Sequence, residues 1–204
     1  MTKIITISRE FGSGGRELGK RLAEALSIPC YDHQIIDMVA EKENMSKEYV
    51  AHMSEKDMRV FYPTTISRGF STPNYTLMQS AQIAAAEHNL IKQLAAEGDC
   101  VIIGRAADAV LREMEPFSIF VCANEESKLA RCKARARDGE NLSDKEILRK
   151  CKEIDKHRRT YREMYCNSKW GEAGSFDLCI NTSSKEIKAL VPALAGYIKA
   201  WYEA

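Results

Sequence analysis

The stretch Ile4-Ile5-Thr6-Ile7-Ser8-Arg9-Glu10-Phe11-Gly12-Ser13-Gly14-Gly15-Arg16-Glu17-Leu18-Gly19-Lys20-Arg21-Leu22-Ala23 decides the fold. Its opening apolar run reads as a buried strand. Gly12-Ser13-Gly14-Gly15 reads as a tight turn, and Leu18, Leu22, Ala25 and Leu26 then recur at helical spacing. Strand, glycine-rich turn and helix form the layout of a phosphate-binding loop. Glycines let backbone amides turn toward an anion, and the helix presents free N–H groups at its positive dipole end. The spacing departs from G-x-x-x-x-G-K-[ST]. With Gly15 as the last glycine, Glu10 replaces the first glycine, Arg16 the lysine and Glu17 the metal-binding hydroxyl. A bare glycine cluster would also serve as a turn needing positive φ.

Outward from this stretch, four more β-type runs recur between helical segments: Pro29–Asp32, Cys100–Gly104, Ser118–Cys122 and Leu178–Asn181, with the first strand over Lys3–Ser8. Most are continuous apolar runs, which suits strands covered on both faces of a parallel sheet. Helical patterns fill the gaps at Asn74–Glu97, Ser143–Cys166 and Ser183–Tyr202. Ser143-Asp144-Lys145-Glu146 matches a capping box, and Ser184 is the expected cap of the last helix. The alternation predicts an α/β fold, a three-layer α/β/α domain with right-handed crossovers, over residues 1–204. Residues 44–75 stand apart, with Pro63, Pro73 and a polar-aromatic string. No strand or long helix is expected there, and the segment reads as an insertion over one sheet edge.

Composition sets the remaining bounds. The chain has 204 residues, 45% hydrophobic and 29% charged, enough for one domain with a sizeable core. A net charge of +1 gives no global field toward nucleic acid or an anionic membrane. No apolar run approaches the roughly 20 residues of a membrane span. Met1-Thr2-Lys3-Ile4 runs directly into a strand, so no signal peptide is expected. Seven scattered cysteines without CxxC spacing suit small buried hydrophobes in a reducing cytoplasm, with zinc or disulfides as alternatives. The expected location is therefore cytoplasmic.

Candidate chemistry clusters at strand ends. Arg16 can offer a planar fork to phosphate. Glu17 could ligate Mg²⁺, repel a triphosphate or stabilise the helix N-terminus. Gly104-Arg105 follows the third strand, where ligands bind in open α/β sheets, and Asp108 lies one helical turn on. Arg105 reads as a phosphate grip or a structural ion pair. Asp32 ends the second strand and reads as a site residue or a helix N-cap, with His33 as a helix-start residue. Arg131, Lys133, Arg135 and Arg137 form the densest basic run, and Lys156–Arg162 a second. Two such helices joined by the loop Asp138–Leu142 would clamp a phosphoryl group, or present solvated charged faces. Interleaved acids weaken a nucleic-acid reading. The 74–97 helix and the insertion offer apolar surface through which copies could pair as a homo-oligomer.

Over almost its whole length the chain resembles the cytidylate-kinase-like branch of the P-loop nucleoside monophosphate kinases. The resemblance is carried by Ile7–Glu17 with Gly19–Ala23, then Pro29-Cys30-Tyr31-Asp32 and Gly104-Arg105. It continues through Asp155 with Arg158 and Tyr161, Tyr165, Trp170, and Asp177–Asn181. It implies a parallel five-stranded sheet of order 2-3-1-4-5, an acceptor-covering insertion at 44–75 and a lid region at 131–162. It further implies phosphoryl transfer from ATP, with Mg²⁺, to CMP or dCMP. By position, Gly12, Ser13, Gly14, Gly15, Arg16 and Glu17 would form the donor-phosphate loop. Asp32, Arg105 and Asp108 would face the acceptor, and Arg16, Arg131, Arg135 and Arg158 would be catalytic. The true kinases carry a lysine and a hydroxyl where Arg16 and Glu17 stand, and an Asp where Ala106 stands. A binding-only role for a nucleotide or another anion is therefore the main rival. A protein acting through contacts with an empty site is a third reading.

Overall fold

The computed structural model describes residues 2–56, 75–136 and 142–203. Five parallel strands lie in the order β2-β3-β1-β4-β5, the order the resemblance implied. They are β1 (Ile4–Arg9), β2 (Cys30–Tyr31), β3 (Cys100–Ile103), β4 (Phe117–Cys122) and β5 (Leu178–Asn181). β1 is central, with Ile7 opposite Ile103 of β3 and Ile119 of β4. Each expected strand is present, with ends displaced by one residue or so.

The continuous apolar runs are explained by burial on both faces. Successive side chains of a strand point to opposite sides. Ile4, Cys100 and Ile102 pack with Ile35, Val39, Ile91 and Leu94 from α2 (Gln34–Lys42) and α4 (Tyr75–Glu97). Ile5, Ile7, Val101, Ile103 and Ile119 pack on the other side. There they meet Leu18 and Leu22 of α1 (Gly15–Leu26) and Val191, Leu194 and Ile198 of α8 (Ile187–Glu203). At roughly 2 kcal/mol for each fully buried large aliphatic side chain, these two layers dominate the driving force for folding. Phe120, Trp170 and Phe176 make a third, smaller cluster beyond β4.

Three helices differ from the expectations. α3 (Lys47–Lys56) occupies the first part of the 44–75 segment, where no long helix was expected. Ser46 Oγ accepts the Tyr49 N–H at its start, and Val50 is fully buried against the α2–α4 layer. Tertiary burial of a few residues overrides a weak apolar period there. The stretch 57–74, with its aromatic string, lies outside the described residues. α8 starts at Ile187, and Ser184 is not its cap. Ser184 has φ +55°, and its N–H donates to Ser127 Oγ at 3.0 Å, so it closes a turn instead. α7 (Asp144–Glu163) is shorter than expected but opens with the capping box of Ser143 and Glu146. A short α5 (Ala107–Val110) follows β3, and α6 (Glu125–Ala134) follows β4. Asn124 caps α6 by accepting the Ser127 N–H at 2.9 Å. The loop 137–141 between α6 and α7 lies outside the described residues.

Candidate functional site

β1 ends at Arg9, and Glu10–Gly14 carries the chain into α1. Gly14 is the helix N-cap at φ +82°, a left-handed conformation that glycine adopts without Cβ strain. The bend is held from inside. Ser13 is fully buried; its Oγ donates to the Glu10 carbonyl at 2.8 Å, and its carbonyl accepts from Thr182 Oγ1 at 2.6 Å. Phe11 N–H donates to Asp155 Oδ1 at 2.6 Å, which ties the loop to α7. Glu10 Oε2 accepts the Ala123 N–H at 3.1 Å and pairs with Lys128 Nζ at 2.9 Å. The loop is thus fixed by α6, α7 and the β5–α8 connection before any ligand arrives.

Above this loop opens a cavity of about 290 Å³. Gly12, Gly14 and Gly15 form its floor, and Arg9, Arg16, Arg131, Arg135, Lys150 and Arg158 supply its charge. Among the described residues, Glu10 is the one carboxylate on its wall, and Cys132, Leu142 and Ile147 are among its less polar parts. Among the described residues, six cationic side chains stand against one acid beside a helix N-terminus, a concavity whose positive charge suits a multiply charged anion.

The cations are held to different degrees. Arg131 is stitched in place. Its Nη2 donates to the Thr182 carbonyl at 2.7 Å, and its Nη1 to Thr182 Oγ1 at 3.2 Å and Ser13 O at 3.3 Å. It therefore braces the loop against the start of α8 as well as lining the cavity. Arg158 donates to the Arg9 carbonyl at 3.0 Å and lies 3.7 Å from Asp155. Arg16 Nε pairs with Asp32 Oδ2 at 2.8 Å. Arg135 Nη2 reaches Glu17 Oε2 at 2.7 Å. Lys128 draws on Glu10 and Asp155, which hold its pKa above the usual lysine value against the opposing cost of burial. Burial pushes the Asp155 carboxyl up, opposed by the Phe11 N–H and Lys128.

Glu17 lies beside this cavity rather than on its wall, with Arg21 Nε on Oε1 at 2.9 Å and Arg135 on Oε2. Both its oxygens are taken by guanidinium groups. Among the described residues, no group of three or more His, Cys, Asp or Glu converges as a metal site. Mg²⁺ beside a nucleotide needs one or two carboxylates together with phosphate oxygens, and Glu17, with both oxygens on guanidinium groups, does not offer a free one.

The acceptor candidates lie toward the β3 side. The turn after β3 runs through three left-handed residues, Gly104 (φ +81°), Arg105 (φ +56°) and Ala106 (φ +50°). Such backbone costs about 1–3 kcal/mol for each non-glycine residue, and here it aims Arg105 at α4. Arg105 Nη1 meets Glu87 Oε1 at 3.1 Å, and Tyr161 OH donates to Glu87 Oε2 at 3.1 Å. Glu87 is only 1% exposed. Burial and the Glu87 charge raise the Tyr161 hydroxyl well above its ordinary pKa. Asp108 is committed to Arg162 Nε at 2.6 Å and accepts from Ser8 Oγ at 3.3 Å. Among the described residues, Asp32 reaches the cavity wall through Arg16 and Arg9.

The structure thus gathers Gly12, Gly14, Gly15, Arg16, Arg131, Arg135 and Arg158 around one cavity, and leaves Ser13, Glu17, Asp32, Arg105 and Asp108 off its wall. Arg9, Lys128 and Lys150 were not singled out from the sequence. Lys128 had a readable signal: with Arg131 and Arg135 it forms a one-face helical series. Arg9 had only its place at a strand end, and Lys150 is one of many charges on α7.

Comparison with known proteins fits this geometry. A family model described as cytidylate kinase-like matches residues 4–184. The chain belongs to the cytidylate kinase-like family. Among solved structures, an uncharacterised protein from Eubacterium ventriosum is 27% identical, with a TM-score of 0.71 over 98% of this chain and 99% of that one. A shikimate kinase from Bacteroides thetaiotaomicron is 14% identical, with a TM-score of 0.58 over 98% and 99%. A gluconokinase from Sinorhizobium meliloti is 18% identical, with a TM-score of 0.52 over 99% and 94%. At those identities the two kinases share the fold with this cytidylate kinase-like protein. No curated protein matches the chain. Among the described residues of this family member, no helix is long and apolar enough to cross a membrane.

Proposed function

We propose that this cytidylate kinase-like protein is a phosphotransferase that moves a phosphoryl group from ATP to a small phosphate-bearing acceptor, with CMP and dCMP as the first candidates. The carrying observation is the cavity over the Gly12–Arg16 loop, with six cationic side chains on its wall. Phosphoryl transfer between phosphates asks a protein mainly to position its reactants and to stabilise spread negative charge. The amides at the start of α1 and Arg16 would hold the donor phosphates. Arg158 and Arg135 would face the group in flight, and Arg131 would hold the loop's shape. Arg105 and Asp32 would serve the acceptor from the β3 side. The α6–α7 region, 131–162, would act as the lid and residues 44–75 as the acceptor cover. No step is assigned to Mg²⁺, because Glu17 is closed by Arg21 and Arg135.

That closure favours a second reading, in which the loop holds a nucleotide or another anion for regulation without transfer. Calorimetry with ATP, CMP and dCMP, with and without Mg²⁺, followed by a coupled transfer assay across a monophosphate panel, separates the two. ATP binding with turnover on one monophosphate supports the enzyme. ATP binding with no transfer on the whole panel selects the regulatory reading, and no binding at millimolar nucleotide removes both.

A further inference from the structure

Arg9 is the last residue of β1, and its side chain is only 14% exposed. Its guanidinium fills the place where a side chain on Gly104 would stand. A Cβ there would lie 1.8 Å from Arg9 Nη1. Among the described residues, the only carboxylate in ion-pair range is Asp32, at 3.9 Å, too far for a hydrogen bond. Among the same residues its guanidinium donates no hydrogen bond to the protein, yet it lines the cavity over the loop. Asp32 in turn gives its shorter contact to Arg16, at 2.8 Å. Two guanidinium groups thus share one carboxylate at the cavity edge, and the more buried of the two has the poorer share.

A buried cation without good partners is costly. Burial first, then the neighbouring Arg158, lower the Arg9 pKa from the usual arginine range to about 9, with Asp32 working the other way. Each of the other four arginines on the cavity wall has a closer acceptor, at 2.7–3.0 Å. Arg9 has its five N–H donors in a planar fork and a cavity in front of them.

We infer that Arg9 anchors a doubly charged phosphoryl group of the ligand through its forked guanidinium, with Asp32 as the internal counter-ion that the anion displaces. The inference deepens the proposed phosphotransferase reading and rests on it for the identity of the ligand, but the anion subsite can be tested by itself. The chemistry recognised is a phosphate dianion, from either the acceptor monophosphate or the donor chain.

The test titrates wild type and Arg9→Met by calorimetry with inorganic sulfate, CMP and ATP. Loss of the charged fork weakens sulfate binding by about tenfold or more. A parallel loss for CMP with ATP spared assigns the subsite to the acceptor, and a parallel loss for ATP assigns it to the donor. Sulfate affinity within about twofold of wild type overturns the inference. Should Arg9→Met fail to fold, Asp32→Asn decides instead. Removing the competing carboxylate tightens sulfate binding severalfold, whereas unchanged or weaker binding overturns the inference. Wild type that binds sulfate but not ATP removes the donor reading while leaving the anion subsite in place.

Discussion

Arg162 donates from Nε to Asp108 Oδ2 at 2.6 Å, and the two side chains are only 4% and 6% exposed. The pair joins the end of α7 to α5, the short helix that follows β3. Arg162 also donates to the carbonyls of Ser168 and Ser175, and its guanidinium lies 4.5 Å from the Phe176 ring centre. A charge so placed is stable only while its partner remains, because an orphaned buried cation cannot regain water. Asp108, grouped with the acceptor residues on sequence grounds, is therefore a strut that fixes how α7 meets the sheet. Asp108→Ala should lower unfolding free energy by about 3–5 kcal/mol. Urea denaturation checks this, and a loss below about 1 kcal/mol would show that the pair contributes little.

Gly104→Ala would place a methyl group 1.8 Å from Arg9 Nη1, at φ +81°. Either the guanidinium moves or the turn does. The expected result is a loss of about 1–3 kcal/mol in stability, together with weaker sulfate binding. Full stability and full sulfate affinity in the same variant would mean that the Arg9 position is not set by this turn.

Arg16→Ala removes a cavity-wall cation that is 45% exposed and paired with Asp32. The fold should tolerate it, with stability changed by about 1 kcal/mol or less. ATP affinity should fall about tenfold. Calorimetry gives the number, and an unchanged affinity would take Arg16 out of the phosphate site.

Glu17→Ser releases two guanidinium groups, Arg21 and Arg135. Both pairs are exposed enough that stability should change by less than about 1 kcal/mol. Freed Arg135 can then serve the cavity it lines. Nucleotide binding should tighten severalfold, and transfer in the coupled assay should rise. A fall in both would give the wild-type carboxylate a positive role at the site.

His88 predicts a pH dependence of stability. Burial is the main cause of its lowered pKa, with Glu87 opposing. Its ring packs edge-on to Tyr165 at 4.4 Å between centres. A base whose folded pKa is depressed binds fewer protons when folded than when unfolded. Its contribution is therefore complete above the unfolded value of 6.5 and is lost as pH falls through that value toward the folded pKa. The urea midpoint should drop as pH falls below 6.5, and His88→Asn should flatten that drop. An identical slope in the variant would place the titration elsewhere.

The sequence alone determined the layered architecture. Unbroken apolar strands, glycine turns and helical periodicity are local signals with strong physical causes, and all five strands lie where those signals put them. The glycine-rich turn between β1 and α1 and the Ser143 capping box were legible for the same reason. What only the tertiary structure decided is the partnership of each charge. Asp108 with Arg162 and Glu87 with Arg105 and Tyr161 join residues far apart in the chain. So do Glu17 with Arg135, and Arg9 beside Gly104. Side-chain type and spacing along one helix say which groups share a face. They carry no record of which opposite charge a second element brings within 3 Å, and that distance separates a buried brace from a cation left facing an open cavity.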